Sequence, residues 1–213
     1  MSIDQIPGIQ FIPTNHRCYE FALDFAVASC AIGRYIGAYH GRSVATFAPH
    51  TENGAPQYPT AAFAGLASGK NLELVPHDIL TNVFNRDMRT GQIPYLVKPT
   101  FDQITGDSTV AVAQVLEGLA QSMFTRYWET NLDLIESTHG KRKCNQWPAV
   151  LQFAAVIRDA MSHGGSIHMF PSILPVSHFG LNYSQADNGR KVIHNDMSCG
   201  DIFFLMLDAD AAF

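Results

Sequence analysis

The chain is poor in charge. Only 15% of its 213 residues are Asp, Glu, Lys or Arg, against 46% hydrophobic. So sparse a charged set leaves much of the chain to be buried, in a core or in a subunit interface. Net basicity is lacking too: the formal charge is −5. No global field attracts nucleic acid, and any RNA must be held by a local basic patch. Cysteine pairs are missing. Cys18, Cys30, Cys144 and Cys199 stand far apart with no C-x-x-C, which argues against a zinc ribbon or a thioredoxin-like centre and fits reduced thiols in a cytoplasmic protein. No apolar run reaches the length of a membrane span, because Asp24 and Arg34 interrupt the most hydrophobic segment. The stretch from Met1 to Pro13 has neither a basic head nor a sustained apolar run, so no secretory signal is expected. G-x-S-x-G, Walker A and dinucleotide fingerprints are absent as well.

What is present reads as helix. A length of 213 residues suits one large core, and a single domain over 1–213 is expected. After an extended arm, a nearly all-round apolar helix is predicted from His16 to His40, with Thr14 or Asn15 as its cap and Gly41 at its end. Residues 43–106 are poorly legible and read as loops or an insertion, because Pro49, Pro56, Pro59, Pro76, Pro94 and Pro99 break any period. One short amphipathic helix is expected there, from His77 to Met88. A long helix follows from about Ser108 to Thr138, and another begins near Asn145 and stops at Gly164-Gly165. Two short strands, Phe179 to Ser184 and Arg190 to His194, are expected to form a hairpin around Asp187-Asn188-Gly189. Ser198 and Asp201 then make a capping box for a final helix. The fold class expected is all-α, with a small C-terminal β-hairpin.

One charge falls where the apolar stripe of the fourth predicted helix should continue. Arg158 borders that face, and a guanidinium there needs a carboxylate, a phosphate or water. His163 follows at the last turn. Asp159 lies four residues before it, close enough to meet its imidazole and fix the ring. Arg158 and His163 are rotated roughly 140° apart, so a straight helix does not aim both at one phosphate, and a second copy of the chain would complete the site. Lys141, Arg142 and Lys143 are candidate contacts to an RNA backbone, or else a solvated loop that complements the end of the long helix. Tyr127, Trp128 and Trp147 suit base stacking or, at helical spacing, a core. His163, His168, His178 and His194 have no zinc-motif spacing, so no metal is expected. A second, looser Arg…His pair, Arg34 and His40, reads as a cation near a helix C-terminus.

The run Arg158-Asp159-Ala160-Met161-Ser162-His163 resembles the R-x4-6-H motif of the HEPN superfamily. The stretch from Ile157 to about Leu207 is further similar to a bacterial, often plasmid-borne branch of it, through RDAMSHGG, FGLNYSQADNGRKVI and NDMSCGDIFFLML. That covers about the last quarter of the chain. The resemblance implies an up-and-down helical bundle, a homodimer through the motif helices, no cofactor, and metal-independent RNA cleavage in active members. It implies that His163 acts on the 2′-hydroxyl or the leaving oxygen, that Arg158 stabilises the phosphate, and that Asp159 orients His163. The expected function is an endoribonuclease, the toxin of a toxin–antitoxin or defence pair with an antitoxin as partner. The alternative is a non-catalytic module that binds RNA, a nucleotide or a protein. A third reading makes Arg158 a purely structural residue, held in an internal ion pair.

Overall fold

A computed structural model describes residues 8–39, 50–52, 55–57, 61–75, 79, 92–99, 110–141, 144–193 and 195–213. They fall into two compact units, one within 1–63 and 71–99, the other within 64–70 and 100–213.

The first unit overturns the all-α expectation. Strands β1 (Ile9–Ile12), β4 (Ala61–Ala64), β5 (Lys70–Leu74) and β6 (Ile93–Pro99) form a four-stranded antiparallel sheet in the order β1-β6-β5-β4. The register of its first pair sets Ile9 against Leu96 and Ile12 against Ile93. Two further short strands, β2 (His50–Glu52) and β3 (Ala55–Gln57), pair with each other as a two-stranded sheet among the described residues. The chain is a mixed α and β protein, not an up-and-down bundle. The strands escape a periodicity reading for physical reasons. In β5, Asn71-Leu72-Glu73-Leu74 does alternate, but only over the four residues that are the minimum for a strand signal, and Asn71 and Glu73 are buried along with Leu72 and Leu74. Glu73 tolerates the position because Lys98 on β6 reaches it at 2.8 Å. In β6, Pro94 sits near the strand's start and Pro99 at its end, where a missing N–H costs the ladder little.

Helix α1 (Tyr19–Tyr39) matches the first predicted helix and packs against β6. Ala22, Phe25, Ala26 and Cys30 are buried along it, and the Phe25 ring lies 5.5 Å from that of Phe63. Burial pushes the Cys30 thiol up to about 12, so it holds its proton at neutral pH. The side chains of Arg34 and His40 lie outside the described residues, as does the helix expected over 77–88 apart from Ile79.

The second unit carries α2 (Val110–His139), α3 (Ala149–Ser162) and α4 (Cys199–Asp210), which pack on one another. Phe124, Tyr127, Ile135, Leu151, Phe153, Ile157, Phe203 and Leu205 fill the space between them. Tyr127 donates to Asp210 Oδ1 at 3.1 Å across that interior. Trp147 donates to the Gly140 carbonyl at 2.9 Å, and its ring lies 6.3 Å from that of Trp128. All three aromatic residues are buried core. At the start of α4, the backbone N–H of Ser198 donates to Asp201 Oδ2 at 3.0 Å, as the expected capping box requires.

The hairpin expected between 179–184 and 190–194 does not form, and a different one lies earlier in the chain. Strands β7 (Val176–His178) and β8 (Leu181–Tyr183) pair across Phe179 and Gly180, whose φ values of 51° and 77° are those of a type I′ turn. At Asp187 the chain instead makes a single 3-10 turn, because the Asp187 carboxylate accepts from the Ser184 N–H at 2.8 Å and from its hydroxyl at 3.0 Å. Beyond Gly189 the backbone returns to Ser166 and Ile167 rather than to β8.

Tyr183, fully buried, donates to Asp196 Oδ2 at 2.9 Å, and Asp196 in turn holds Arg190. Burial, and then the Asp196 carboxylate, raise the Tyr183 phenol well above its ordinary value. An unfolded tyrosine loses its proton near pH ~10. Above that pH the unfolded chain binds fewer protons than the native one, so stability falls as pH rises. Urea midpoints at neutral and at alkaline pH should show this decline. In Tyr183→Phe the decline should be shallower but still present, because the buried Cys30 and Cys199 thiols are also raised, with about 1 kcal/mol lost at neutral pH.

Candidate functional site

Helix α3 presents its apolar residues Leu151, Phe153, Ala154, Val156, Ile157 and Ala160 to the interior. This fixes where the motif residues point. Arg158 and Asp159 fall on the border of that stripe, half-buried, and His163 is the exposed C-cap.

Arg158 turns toward α2, where its Nη2 pairs with Glu129 Oε1. The side chains of the pair are 31% and 46% exposed. Nε of Arg158 is buried and makes no hydrogen bond. Ser162 stays local, its hydroxyl 3.5 Å from the Arg158 carbonyl.

His163 turns the other way. Its Nδ1 lies 2.9 Å from the Asp159 carbonyl oxygen and 3.5 Å from Asp159 Oδ2. The helix ends immediately after it. Gly164 (φ 66°) and Gly165 (φ 81°) adopt left-handed backbone, and the Gly165 N–H donates to the Ala160 carbonyl at 2.8 Å. That six-to-one bond is a Schellman ending, which only glycine enters without strain. Lys191 Nζ donates to the Gly164 carbonyl and brings a cation to the negative end of the helix.

The chain then doubles back in extended form. Ile167 and Met169 are buried, and the backbone of Ile167 bonds to Arg190 and Gly189. Asn188 clamps Met169 from both sides, accepting from its N–H at 2.6 Å and donating to its carbonyl at 3.0 Å. Alternation therefore sends His168 and Phe170 outward. His168 stacks on His163, with ring centroids 4.3 Å apart and planes 23° from parallel. Its Nδ1 is 3.3 Å from the same Asp159 Oδ2, and the Phe170 ring meets it edge-on at 5.0 Å. Asp159, His163 and His168 thus converge, with donor atoms within 4.8 Å of one another.

No family model, curated protein or solved structure matches the chain. Its chemistry is read from this geometry. The structure unites Asp159 with His163 as the four-residue spacing suggests, and separates Arg158 from both: the two halves of the motif have no partner in common. Lys141 is exposed, 3.9 Å from Glu136. Arg142 and Lys143 lie outside the described residues, as does His194. His178 leaves the histidine group and pairs with Asp208 at 2.9 Å. His168 is the residue whose role sequence spacing misses. The signal for it was the Gly-Gly stop followed by the alternating Ile-His-Met-Phe of residues 167–170. No helix among the described residues is long and apolar enough to cross a membrane.

Proposed function

We propose that the chain is a metal-independent endoribonuclease of the HEPN kind, acting at the C-terminal end of α3 as the toxin of a toxin–antitoxin or defence pair. The observation that carries this reading is the exposed pair of stacked imidazoles, His163 and His168, sharing the Asp159 carboxylate. Cleavage of RNA by its own 2′-hydroxyl needs two proton transfers. One imidazole takes the proton of the 2′-hydroxyl as its oxygen attacks phosphorus. The other gives a proton to the departing 5′-oxygen, leaving a 2′,3′-cyclic phosphate and a free 5′-hydroxyl. Asp159 orients both rings.

Arg158 serves the phosphate by leaving Glu129. A partly exposed ion pair is worth only about 0–1 kcal/mol, so a phosphate's forked hydrogen bonds compete for the guanidinium on favourable terms. A second copy of the chain, docked along α3, would bring its own Arg158 to the site and answer the rotation between the two motif residues.

The test is incubation of the purified chain with RNA in EDTA, reading the ends of any fragments. Cyclic phosphate ends made by the parent, and lost in both Arg158→Ala and His163→Ala, support the ribonuclease. One observation favours the reading in which Arg158 is structural: its guanidinium already has a carboxylate partner in Glu129. RNA neither cleaved nor retained would transfer the assignment to that reading, and RNA retained without turnover would transfer it to a non-catalytic binding module.

A further inference from the structure

We infer that Asp159, His163 and His168 form a binding site for one divalent transition-metal ion of the zinc class. The distances are those of a ligand shell. Zinc binds imidazole nitrogen at ~2.0–2.1 Å and carboxylate oxygen at ~2.0–2.2 Å, so neighbouring donors on a tetrahedron sit about 3.3 Å apart. Asp159 Oδ2 lies 3.3 Å from His168 Nδ1 and 3.5 Å from His163 Nδ1, which gives up its 2.9 Å hydrogen bond to the Asp159 carbonyl when it takes the ion. Two nitrogens and one oxygen suit zinc, nickel, copper or iron. They do not suit calcium or magnesium, which take oxygen shells.

The site is also held in place. The Schellman ending fixes the backbone at His163, and the Asn188 clamp on Met169 fixes it beside His168. The two rings stack 4.3 Å apart, and the Nδ1 of each lies near the one carboxylate oxygen, Asp159 Oδ2. Three protein ligands at the surface leave a fourth position open, the arrangement of a reactive or exchangeable site and not of a closed structural one. Each imidazole must offer an unprotonated nitrogen, so binding releases protons and strengthens as pH rises.

Metal binding stands on this geometry and does not depend on the ribonuclease reading. One consequence does rest on that reading: an ion here takes up both imidazoles at once, so it inhibits cleavage.

The experiment is titration of the purified full chain with Co²⁺, followed by its visible absorption, and then with Zn²⁺ as competitor. The proteins are the parent, His168→Ala, Asp159→Asn and, as a control, His178→Ala, whose imidazole pairs elsewhere with Asp208. His168 and Asp159 are partly exposed, so their variants keep the fold, checked by circular dichroism. The parent should bind one Co²⁺ per chain and yield it to Zn²⁺. Binding should weaken at least ~10-fold in His168→Ala and Asp159→Asn and stay unchanged in His178→Ala. Equal binding by parent and His168→Ala overturns the site. RNA cleavage is read separately. Metal binding without cleavage in EDTA leaves the site standing and removes the ribonuclease. Cleavage in EDTA that added Zn²⁺ leaves untouched overturns the inhibition.

Discussion

His163→Ala should lower RNA cleavage by about 10²–10⁴-fold, the usual contribution of a positioned proton-transfer group, while the chain stays folded. The second half of that expectation follows from how the helix ends. The bonds closing α3 run from the His163 and Gly165 backbone N–H groups to the Asp159 and Ala160 carbonyls, and the imidazole adds only a contact to the Asp159 carbonyl that the His163 N–H already bonds. The ring touches Asp159 and His168 and is otherwise exposed, so its removal should change stability by no more than ~0.5 kcal/mol. His168→Ala separates two roles. If His168 transfers a proton, the parent's rate should show a bell-shaped dependence on pH, and the variant should lose one limb of it. If His168 only supports His163, the rate falls and the shape persists. Arg158→Lys should lose most of the activity as well, since an ammonium cannot reproduce the forked contact to phosphate. Parent-level cleavage by His163→Ala would remove the assignment altogether.

The helices were legible because their signals are local. A nearly all-round apolar run marks α1, helical spacing marks α2, and Gly164-Gly165 ends α3 where a left-handed turn is required. The Ser198 and Asp201 pair located α4 to the residue. The sheet was illegible because its signals are not local. Strand β1 lies in a stretch that reads as an arm, with Gly8 just before it and Pro13 just after, and becomes a strand only by pairing with β6 some eighty residues on. Strand β5 offers only a four-residue alternation, Asn71-Leu72-Glu73-Leu74, and buries its polar residues too, Glu73 beside Lys98. The hairpin shows competition between two turn signals. Asp187-Asn188-Gly189 looked the stronger, but the Ser184–Asp187 capping box drew Asp187 into a 3-10 turn capped by Asn188, and Phe179-Gly180 took the hairpin. The site divides the same way. The Asp159–His163 contact is a spacing of four on one helix and could be read directly. The Glu129 partner of Arg158 and the return of His168 depend on tertiary packing.

That packing has its own critical residue, and Asp201→Ala should destabilise the unit that carries the site by about 3–5 kcal/mol. Asp201 is fully buried. Its Oδ2 accepts from the Ser198 N–H at 3.0 Å and the Ala67 N–H at 3.1 Å, and its Oδ1 from the Ser68 N–H at 2.8 Å. The Ser198 hydroxyl approaches Oδ2 as well, at 3.1 Å, and also meets the Ala64 carbonyl. One carboxylate therefore caps α4 and holds residues 64–70, and alanine takes the partner from three backbone donors, Ser198 buried and Ala67 and Ser68 part-buried. The loop has no room to compensate. A Cβ added at Gly65 would come within 2.4 Å of the Lys70 carbonyl oxygen and 2.8 Å of Asp201 Oδ1, so Gly65→Ala should weaken the same junction through backbone that cannot give way. Ser198→Ala, which removes the hydroxyl but keeps the Asp201 carboxylate, should cost only about 1 kcal/mol. Both tryptophans, Trp128 and Trp147, belong to this unit, so urea unfolding followed by tryptophan fluorescence reads its stability directly. A loss below ~1 kcal/mol in Asp201→Ala would mean that water replaces the carboxylate and that α4 is held by Phe203, Leu205 and their neighbours alone. A loss of the expected size, with Ser198→Ala mild, would make the buried carboxylate the link between the start of α4 and residues 64–70.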